Sequence, residues 1–276
     1  MKKLVESGLP LFMDDDNVLA LKAPLTYEGY SRKHLDKMEN LFEGFDTQLS
    51  NETIYDVYRG LYLPNDVEKF KDKDYQYDIT IVFPGTINGE RKKTSGHYHG
   101  WNESKKNTYP EIYEVIEGRA AFILQKALNF KDDPKDLKVE DVIIAVVDKG
   151  ETLIVPANYG HCSVNIGDGP LVFSNLAYTP CEINYDPVTY YNGMGYFIFD
   201  DNGEISVRKN NNYSKLPDVR FAKTSDDKKL GTVKGEPIYS RFLSDPDTYK
   251  YLEDIDPYIN ETFSTLEFYD SHILND

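Results

Sequence analysis

The segment Thr94–Gly118, TSGHYHGWNESKKNTYPEIYEVIEG, holds two of the five histidines of this 276-residue chain, and they lie one residue apart. Side chains at positions i and i+2 of a β-strand point to the same face. His97 and His99 are therefore predicted to project together, with Tyr98 on the opposite face. Such a pair either binds a metal ion or belongs to an exposed strand edge.

A carboxylate and a third histidine occur where they can complete a metal site. After a polar loop the chain returns as a predicted strand with Glu111 and Tyr113 on one face and Glu114 on the other. His161 follows a predicted turn, VPANYGH. Three imidazoles and one carboxylate suit a divalent transition metal, and an octahedral ion would keep two positions open for substrate or water. Considered alone, His161 is more typical of a hydrogen-bonded structural histidine.

The charge balance excludes several classes of partner. The chain has 31 basic and 47 acidic residues, a net charge of -16. This argues against nucleic acid and against an anionic membrane surface, although a small anionic substrate remains compatible with it. Its two cysteines, Cys162 and Cys181, do not suggest a disulfide framework. With no signal-peptide core and no apolar run of ~20 residues, we expect a cytoplasmic protein without membrane contact.

Short runs rich in β-branched and aromatic residues predict a chain dominated by strands. One strand is predicted at 75–85, and three or more occur between 142 and 178. Two hairpins are predicted, one formed by 111–118 and 120–127, the other by 195–209 with Asn202-Gly203 at its tip. Closely spaced strands without intervening helices indicate an antiparallel all-β sandwich or barrel.

Three parts of the chain are distinguished. Residues 50–213 are predicted to form a single catalytic barrel, and residues 1–49 an N-terminal extension that packs on it. This extension contains a candidate helix, SRKHLDKMENLFEGF (31–45), with apolar residues at helical spacing. Residues 214–276 form a C-terminal extension with a possible short helix near 248–255.

The C-terminal extension is too aromatic for a solvated tail. We expect it to pack on the barrel or on a dimer partner and to leave the metal ligands untouched. The side chains expected to be buried there are Tyr239, Phe242, Phe263 and Phe268.

The spacing of the site residues resembles the two motifs of cupin barrels. His97, His99, Glu111 and Gly118 match the first motif, H-x-H, a gap, then Glu, six residues and Gly. Gly150, Pro156, His161 and Asn165 match the second motif, G-x5-P-x-G-x2-H-x3-N. Asn158 stands at the inner glycine of that motif, and asparagine also tolerates a left-handed turn conformation. The gap after His99 is eleven residues long, where many cupins have three or four.

The resemblance extends to the cupin-type glucose-6-phosphate isomerases, best known from archaea. The segments TSGHYH, YPEIYEV, TIVFPG, VPANYGHCSVNIGD and IFDDNGEISV carry it. The similarity runs from about residue 10 to about residue 213, and residues 214–276 have no counterpart. A histidine associated with the family's sugar site corresponds to Tyr185. The resemblance implies a cupin (jelly-roll) barrel that interconverts D-glucose 6-phosphate and D-fructose 6-phosphate, with short helices in its extensions.

The resemblance also implies roles for individual residues. The metal ligands would be His97, His99, Glu111 and His161. The substrate phosphate would contact Thr80, Thr94 and Gly96, with Tyr55 nearby, and the sugar would face Tyr113 and Tyr178. Glu111 and Tyr113 would be the catalytic side chains. Iron or manganese is favoured as the metal, and zinc, nickel or cobalt would also suit this ligand set.

Two other functions fit the same ligands. A redox cupin, such as a dioxygenase or decarboxylase of a small acid, needs no phosphate site, so Thr80 and Thr94 would then have no partner in the substrate. A sugar-binding cupin without turnover is also compatible. The 22 tyrosines suit an interface, and we expect a homodimer that pairs through strands at the barrel edge. The sequence leaves open whether isomerisation proceeds through an enediol or a hydride shift.

Overall fold

Runs of β-branched and aromatic residues form most of the strands in a computed structural model, which describes residues 1–44, 47–269 and 274. The strands are β1 Lys2–Lys3, β2 Leu11–Met13, β3 Leu19–Leu21, β4 Gly29–His34, β5 Thr53–Arg59, β6 Tyr75–Val82, β7 Thr86–Ile87, β8 Glu90–Arg91, β9 Tyr98–His99, β10 Glu111–Glu117, β11 Arg119–Lys126, β12 Asp141–Asp148, β13 Thr152–Val155, β14 Tyr159–Asn165, β15 Leu171–Tyr178, β16 Ile183–Asn184, β17 Tyr196–Asp201, β18 Glu204–Lys209, β19 Val219–Thr224 and β20 Leu266–Tyr269. The α-helices are α1 Val67–Lys71, α2 Asp186–Tyr190, α3 Ile238–Ser244 and α4 Ile259–Ser264. The 3₁₀ helices are Val5–Ser7, Leu35–Lys37, Glu39–Leu41, Thr47–Leu49, Pro134–Asp136, Pro246–Leu252 and Asp256–Tyr258. Within these described residues, no helix is long and apolar enough to cross a membrane.

Two large sheets face each other across the core. The first has the order β13-β10-β15-β6-β5-β4 and is antiparallel throughout. The second has the order β14-β11-β12-β19-β20, in which β12 and β19 are parallel. Tyr113 and Phe173 from the first sheet pack against Phe122 from the second. This is the jelly-roll arrangement of a cupin barrel, and it confirms the predicted fold class.

The central strands are buried on both faces, which explains their continuous apolar sequences. In β12, Ile143 and Ala145 face the core between the two sheets. Their neighbours Ile144 and Val146 face an outer layer that contains the β17–β18 hairpin. On the other side of the barrel, the N-terminal strands and the C-terminal segment cover the outer face of the six-stranded sheet. The barrel is therefore enclosed by the parts of the chain that flank it.

The predicted hairpin of residues 111–118 and 120–127 is wrong. β10 pairs with β13 and β15 in the six-stranded sheet, whereas β11 pairs with β12 and β14 in the other sheet. Gly118 makes the corner between them with φ +85°, and a Cβ there would lie 2.7 Å from the carbonyl oxygen of Pro170. Only glycine fits this conformation and approach, and the chain crosses the sandwich at this point.

The second predicted hairpin is confirmed. β17 and β18 pair antiparallel around Asn202 and Gly203, whose φ angles are 59° and 93°. Positive φ at both positions is the signature of a type I′ turn, which matches the twist of the flanking strands.

The candidate helix at residues 31–45 is wrong. Its first residues belong to β4, which pairs with β5 at the edge of the six-stranded sheet. Two 3₁₀ helices follow, Leu35–Lys37 and Glu39–Leu41. Leu35, Met38 and Phe42 enter the core between the sheets, so successive tight turns produce the apolar spacing that resembled a helix. Phe45 lies outside the described residues.

The C-terminal extension packs on the barrel. Tyr239 and Phe242 are buried as expected, and the 3₁₀ helix Pro246–Leu252 lies where a short helix was predicted. Phe263 is partly buried. The expectation for Phe268 is wrong: it is 40% exposed on the edge strand β20, with the guanidinium of Arg220 4.1 Å above its ring.

The three-part division of the chain remains a proposal. β4 lies before residue 50 and extends the six-stranded sheet, and β19 lies after residue 213 and extends the five-stranded sheet. Both extensions therefore contribute strands to the barrel sheets.

Candidate active site and metal centre

A cavity of about 260 Å³ lies between the two sheets and contains the histidine cluster. β9 lies next to β14, and His97 forms two backbone hydrogen bonds with His161, of 3.0 and 2.9 Å. Glu111 begins β10 opposite Val155 of β13. These pairings bring residues that are far apart in sequence to the same part of the barrel.

The four predicted ligands are close enough to share one ion. One ligand atom from each of His97, His99, Glu111 and His161 lies within 4.8 Å of all the others. Glu111 Oε2 is 3.3 Å from His99 Nε2 and 3.2 Å from His161 Nε2. Donor atoms that each bind a common ion at ~2.1 Å lie about 3 Å apart when they are adjacent in its coordination shell. The observed spacing therefore fits a divalent transition metal.

The charge states of three of the four residues suit a metal, and His99 is the exception. Although burial lowers it, contacts with Cys181 and Glu111 hold the pKa of His99 well above its usual value, so this imidazole must lose a proton to bind a metal ion. Burial and neighbouring histidines hold the pKa of His97 well below its usual value, and burial lowers the pKa of His161. Burial alone would raise the pKa of Glu111, but hydrogen bonds with His161 and His99 hold it well below its usual range. Neutral imidazoles and an ionised carboxylate are the forms that bind metal.

A backbone carbonyl orients His99. The Nδ1 atom of His99 lies 2.9 Å from the carbonyl oxygen of Tyr109. Because a carbonyl only accepts hydrogen bonds, Nδ1 must carry a proton, which directs Nε2 towards the cluster. Outer partners of this kind fix the tautomer and ring orientation of metal-binding histidines.

Glu111 and Tyr113 share a hydrogen-bond network. The Tyr113 hydroxyl donates to Glu111 Oε2 at 2.7 Å and lies 2.7 Å from His161 Nε2. Asn175 donates to the other carboxylate oxygen, Oε1, also at 2.7 Å. Burial and the Glu111 charge raise the pKa of Tyr113 well above its usual value, so this phenol retains its proton. Sequence reasoning did not identify Asn175, which lies opposite Tyr113 on β15.

The residues predicted to bind substrate line the same cavity; they are Tyr55, Thr80, Thr94, Gly96, Tyr113 and Tyr178. The Tyr55 hydroxyl lies 3.1 Å from Ser95 Oγ. Thr94 Oγ1 accepts from the Ser163 amide at 3.0 Å and keeps its own hydroxyl proton for another acceptor. Gly96 has φ +78°, and a Cβ there would lie 3.2 Å from the Cβ atom of Cys162, so glycine suits this position. Their binding roles remain predictions.

An arginine and an aspartate in the cavity were missed by the sequence analysis. Arg59 Nη1 lies 3.6 Å from Asp78 Oδ2, and burial raises the pKa of Asp78 to about 6. Among the described residues that line the cavity, Arg59 is the only arginine or lysine. The alternation of side chains along a strand could have identified both residues. Arg59 lies four positions after Tyr55, and Asp78 lies two positions before Thr80, so each shares a strand face with a predicted substrate-binding residue. Tyr185 also lines the cavity, with its ring 5.4 Å from that of His97.

Glu114 faces away from the cavity, as its strand position predicts. Its side chain is not solvated, because the C-terminal segment covers it. Ser174 Oγ and the amide of Ile238 donate to its Oε2 atom at 3.3 and 3.1 Å. Burial raises the pKa of Glu114 to about 8.

Comparison with known proteins identifies related sequences. The family model "Glucose-6-phosphate isomerase (GPI)" matches residues 31–215. A glucose-6-phosphate isomerase of Pyrococcus furiosus is 29% identical over 163 residues, which cover 59% of this chain and 74% of that protein. One of Pyrococcus abyssi is 30% identical over 141 residues, covering 51% of this chain and 65% of that protein. A putative glucose-6-phosphate isomerase of Rhizobium meliloti is 27% identical, with 59% and 66% covered.

Proposed function

The chain belongs to the glucose-6-phosphate isomerase family, and we propose that it interconverts D-glucose 6-phosphate and D-fructose 6-phosphate in the cavity around Glu111. The observation that carries the proposal is the combination of this family match with a His/Glu cluster inside a cavity of about 260 Å³. A cluster of this kind on an exposed strand edge would have argued against the reaction.

His97, His99, Glu111 and His161 would hold one divalent transition metal. Iron or manganese is our choice for the ion, and zinc, nickel and cobalt also suit a mixed nitrogen and oxygen site. A divalent ion bound there would supply Lewis-acid chemistry at the sugar carbonyl. Asn175 and Tyr113 hold the Glu111 carboxylate in place through its two oxygens.

The phosphate binds at the part of the cavity lined by Tyr55, Thr80, Thr94 and Gly96. Hydroxyl groups and a backbone amide satisfy phosphate oxygens by charge-assisted hydrogen bonds. Arg59 adds the positive charge that the sequence analysis had not assigned. Its guanidinium is largely exposed and its contact with Asp78 is long, 3.6 Å, so it is able to turn towards an anionic substrate. Tyr178 also lines the cavity and would face the sugar.

Glu111 and Tyr113 are the side chains that transfer protons in the reaction. Isomerisation moves a hydrogen between C1 and C2 of the sugar, and Glu111 is the carboxylate of the ligand cluster itself, so it is both a metal ligand and the candidate base. The Tyr113 hydroxyl carries a proton at 2.7 Å from Glu111 and can donate to a sugar oxygen that gains charge. Turnover of C2-deuterated substrate in ordinary water distinguishes the two routes: loss of label supports an enediol, and full transfer to C1 supports a hydride shift.

A coupled assay with fructose 6-phosphate, with and without added metal, tests the proposal. We expect turnover that a chelator removes and added Mn²⁺ or Fe²⁺ restores. Tight sugar-phosphate binding without turnover would refute the proposal in favour of a binding protein. Silence with sugar phosphates together with oxygen uptake on small carboxylic acids would refute it in favour of a redox enzyme.

We further propose a cytoplasmic homodimer. β4 is an edge strand of the six-stranded sheet, and such edges pair readily with another chain. Tyr27 and Tyr30 are 47% and 46% exposed beside this edge, where both rings contact Tyr58. Aromatic side chains of this kind are enriched at subunit interfaces.

A further inference from the structure

Two departures from the cupin motifs meet at one place in the structure. The first is the eleven-residue loop between His99 and Glu111, residues 100–110, which we call the histidine–glutamate loop. The second is Asn158, which has φ +73° at the position of the inner glycine. Asn158 Oδ1 accepts from the Thr108 amide at 3.1 Å, and Asn158 Nδ2 donates to Asn107 Oδ1 at 2.8 Å. A glycine would lack the side chain that holds the loop here.

The C-terminal segment holds the same loop from the other side. Asp256 Oδ1 accepts from Asn107 Nδ2 at 2.9 Å and from Asn102 Nδ2 at 3.0 Å. Asn102 is 3% exposed, so this amide depends on protein partners. The neighbouring Ile255 is completely buried in the cluster that covers the six-stranded sheet, which fixes Asp256 relative to the barrel. Asn107 is thus held between Asp256 and Asn158.

The histidine–glutamate loop ends at a group that touches the metal centre. Tyr109, two residues after Asn107, supplies the carbonyl oxygen 2.9 Å from His99 Nδ1. Its own amide donates to the carbonyl of Gly100 at 3.1 Å, which closes the loop on itself. The position of this carbonyl therefore depends on the position of the loop. The orientation of the His99 ring depends in turn on the carbonyl.

We propose that Asp256 is a positioning residue for the metal centre, acting through Asn107 and the Tyr109 carbonyl on His99. The C-terminal segment, which lies beyond the part of the chain matched by the family model, is then part of the metal-binding apparatus without supplying a ligand. A rigid loop holds the His99 ring in the geometry for binding. A loop released from Asp256 lets the carbonyl move, and the ring must be reoriented each time the metal binds.

Metal affinity tests this proposal without reference to turnover. Full-length protein is stripped of metal and titrated with Mn²⁺, and free Mn²⁺ is followed by its electron paramagnetic resonance signal. The variants are Asp256→Ala, Asn107→Ala and the double variant. Asp247→Ala is the matched control, because it removes a carboxylate of the same segment that is 61% exposed and paired with Lys250.

We expect each single variant to weaken Mn²⁺ binding by about tenfold, the lower end of the effect of losing an outer partner of a metal ligand. The double variant should have the same Mn²⁺ affinity as the single variant that binds Mn²⁺ less tightly, because both substitutions break the same chain of contacts. Asp247→Ala should bind Mn²⁺ as the wild type does, and the metal-free thermal midpoints of Asp256→Ala and Asp247→Ala should agree. If Asp256→Ala cannot be purified, Asp256→Asn removes the charge and should weaken binding in the same direction.

Unchanged Mn²⁺ affinity in the Asp256 variant would overturn the proposal, as would additive losses in the double variant. A lowered thermal midpoint with unchanged Mn²⁺ affinity would mean that Asp256 only stabilises the fold, and this result would also overturn the proposal. The inference rests on the proposed metal site but not on the isomerase reaction. Failure of the wild type to bind Mn²⁺, Fe²⁺ or Zn²⁺ would refute the site itself, an outcome distinct from normal wild-type binding with unaffected variants.

Discussion

Replacement of Glu114 by glutamine should remove a pH dependence of stability that this buried carboxyl creates. Glu114 is 1% exposed, and burial raises its pKa from 4.5 to about 8. Glutamine has the same shape as the protonated acid and keeps an acceptor for the Ile238 amide. The substitution therefore preserves packing while it removes the titration.

The sign follows from comparing the folded and unfolded states. Between pH 4.5 and pH 8 the unfolded chain loses the Glu114 proton and the folded protein keeps it, so this group lowers the stability of the wild type as the pH rises. One proton corresponds to about 1.4 kcal/mol per pH unit, or about 5 kcal/mol over the whole interval. The variant should be as stable as the wild type near pH 4.5 and increasingly more stable towards pH 8.

Urea unfolding of both proteins at pH 5, 6, 7 and 8 measures this difference directly. Other titrating groups, including Asp78, contribute equally to both curves and cancel. Glu117→Gln is the matched control on the same strand: contacts with Lys2 and Lys149 outweigh partial burial and lower the pKa of Glu117, so its loss should cost stability at neutral pH. If the pH profiles of the wild type and Glu114→Gln were parallel, the carboxyl would not be held protonated and the reasoning would fail.

The remaining predictions concern the site, the C-terminal segment and assembly. His161→Ala should lose Mn²⁺ binding and activity together, and Glu111→Gln should abolish activity, whereas Glu114→Gln should retain it; equal losses at both glutamates would contradict the strand-face argument. Arg59→Gln should raise KM for fructose 6-phosphate about tenfold, as loss of a charged hydrogen bond to phosphate predicts, with a smaller effect on kcat; an unchanged KM would place the phosphate elsewhere. A chain ending at Asn212 should lose more than about 5 kcal/mol of unfolding free energy, since burial of each large apolar side chain is worth about 2 kcal/mol; an unchanged thermal midpoint would make the segment dispensable. Light scattering at micromolar concentration should give the mass of a dimer, and a monomer mass would end that proposal.

Local patterns accounted for most of the barrel and for the ligand cluster. Alternation along a strand placed His97 with His99, and Glu111 with Tyr113, because period-2 geometry depends only on the chain itself. The motif spacing then joined these residues to His161. The same alternation, continued along β5 and β6, would also have found Arg59 and Asp78.

Features that depend on distant contacts could not be read in this way. The corner at Gly118 follows from which sheet each strand joins, and a local pattern does not encode that choice. Leu35, Met38 and Phe42 enter the core with a spacing shared by a helix and by successive 3₁₀ turns. Asp256 contacts Asn102 across 154 positions of sequence, and an exposed acidic stretch gives no sign of such a partner.

The covering of the six-stranded sheet by the C-terminal segment has a consequence for how the protein is made. During synthesis all the strands of that sheet, β4 to β15, leave the ribosome before residues 238–255, whose aromatic side chains cover their outer face. Until then only the N-terminal strands cover this face, so part of the apolar surface that includes Ile79, Ile112 and Leu176 lacks its partner. Transiently exposed apolar surface of this kind is where chaperones bind and where aggregation begins. The barrel therefore reaches its mature, water-excluding form only after residues 238–255 have been synthesised.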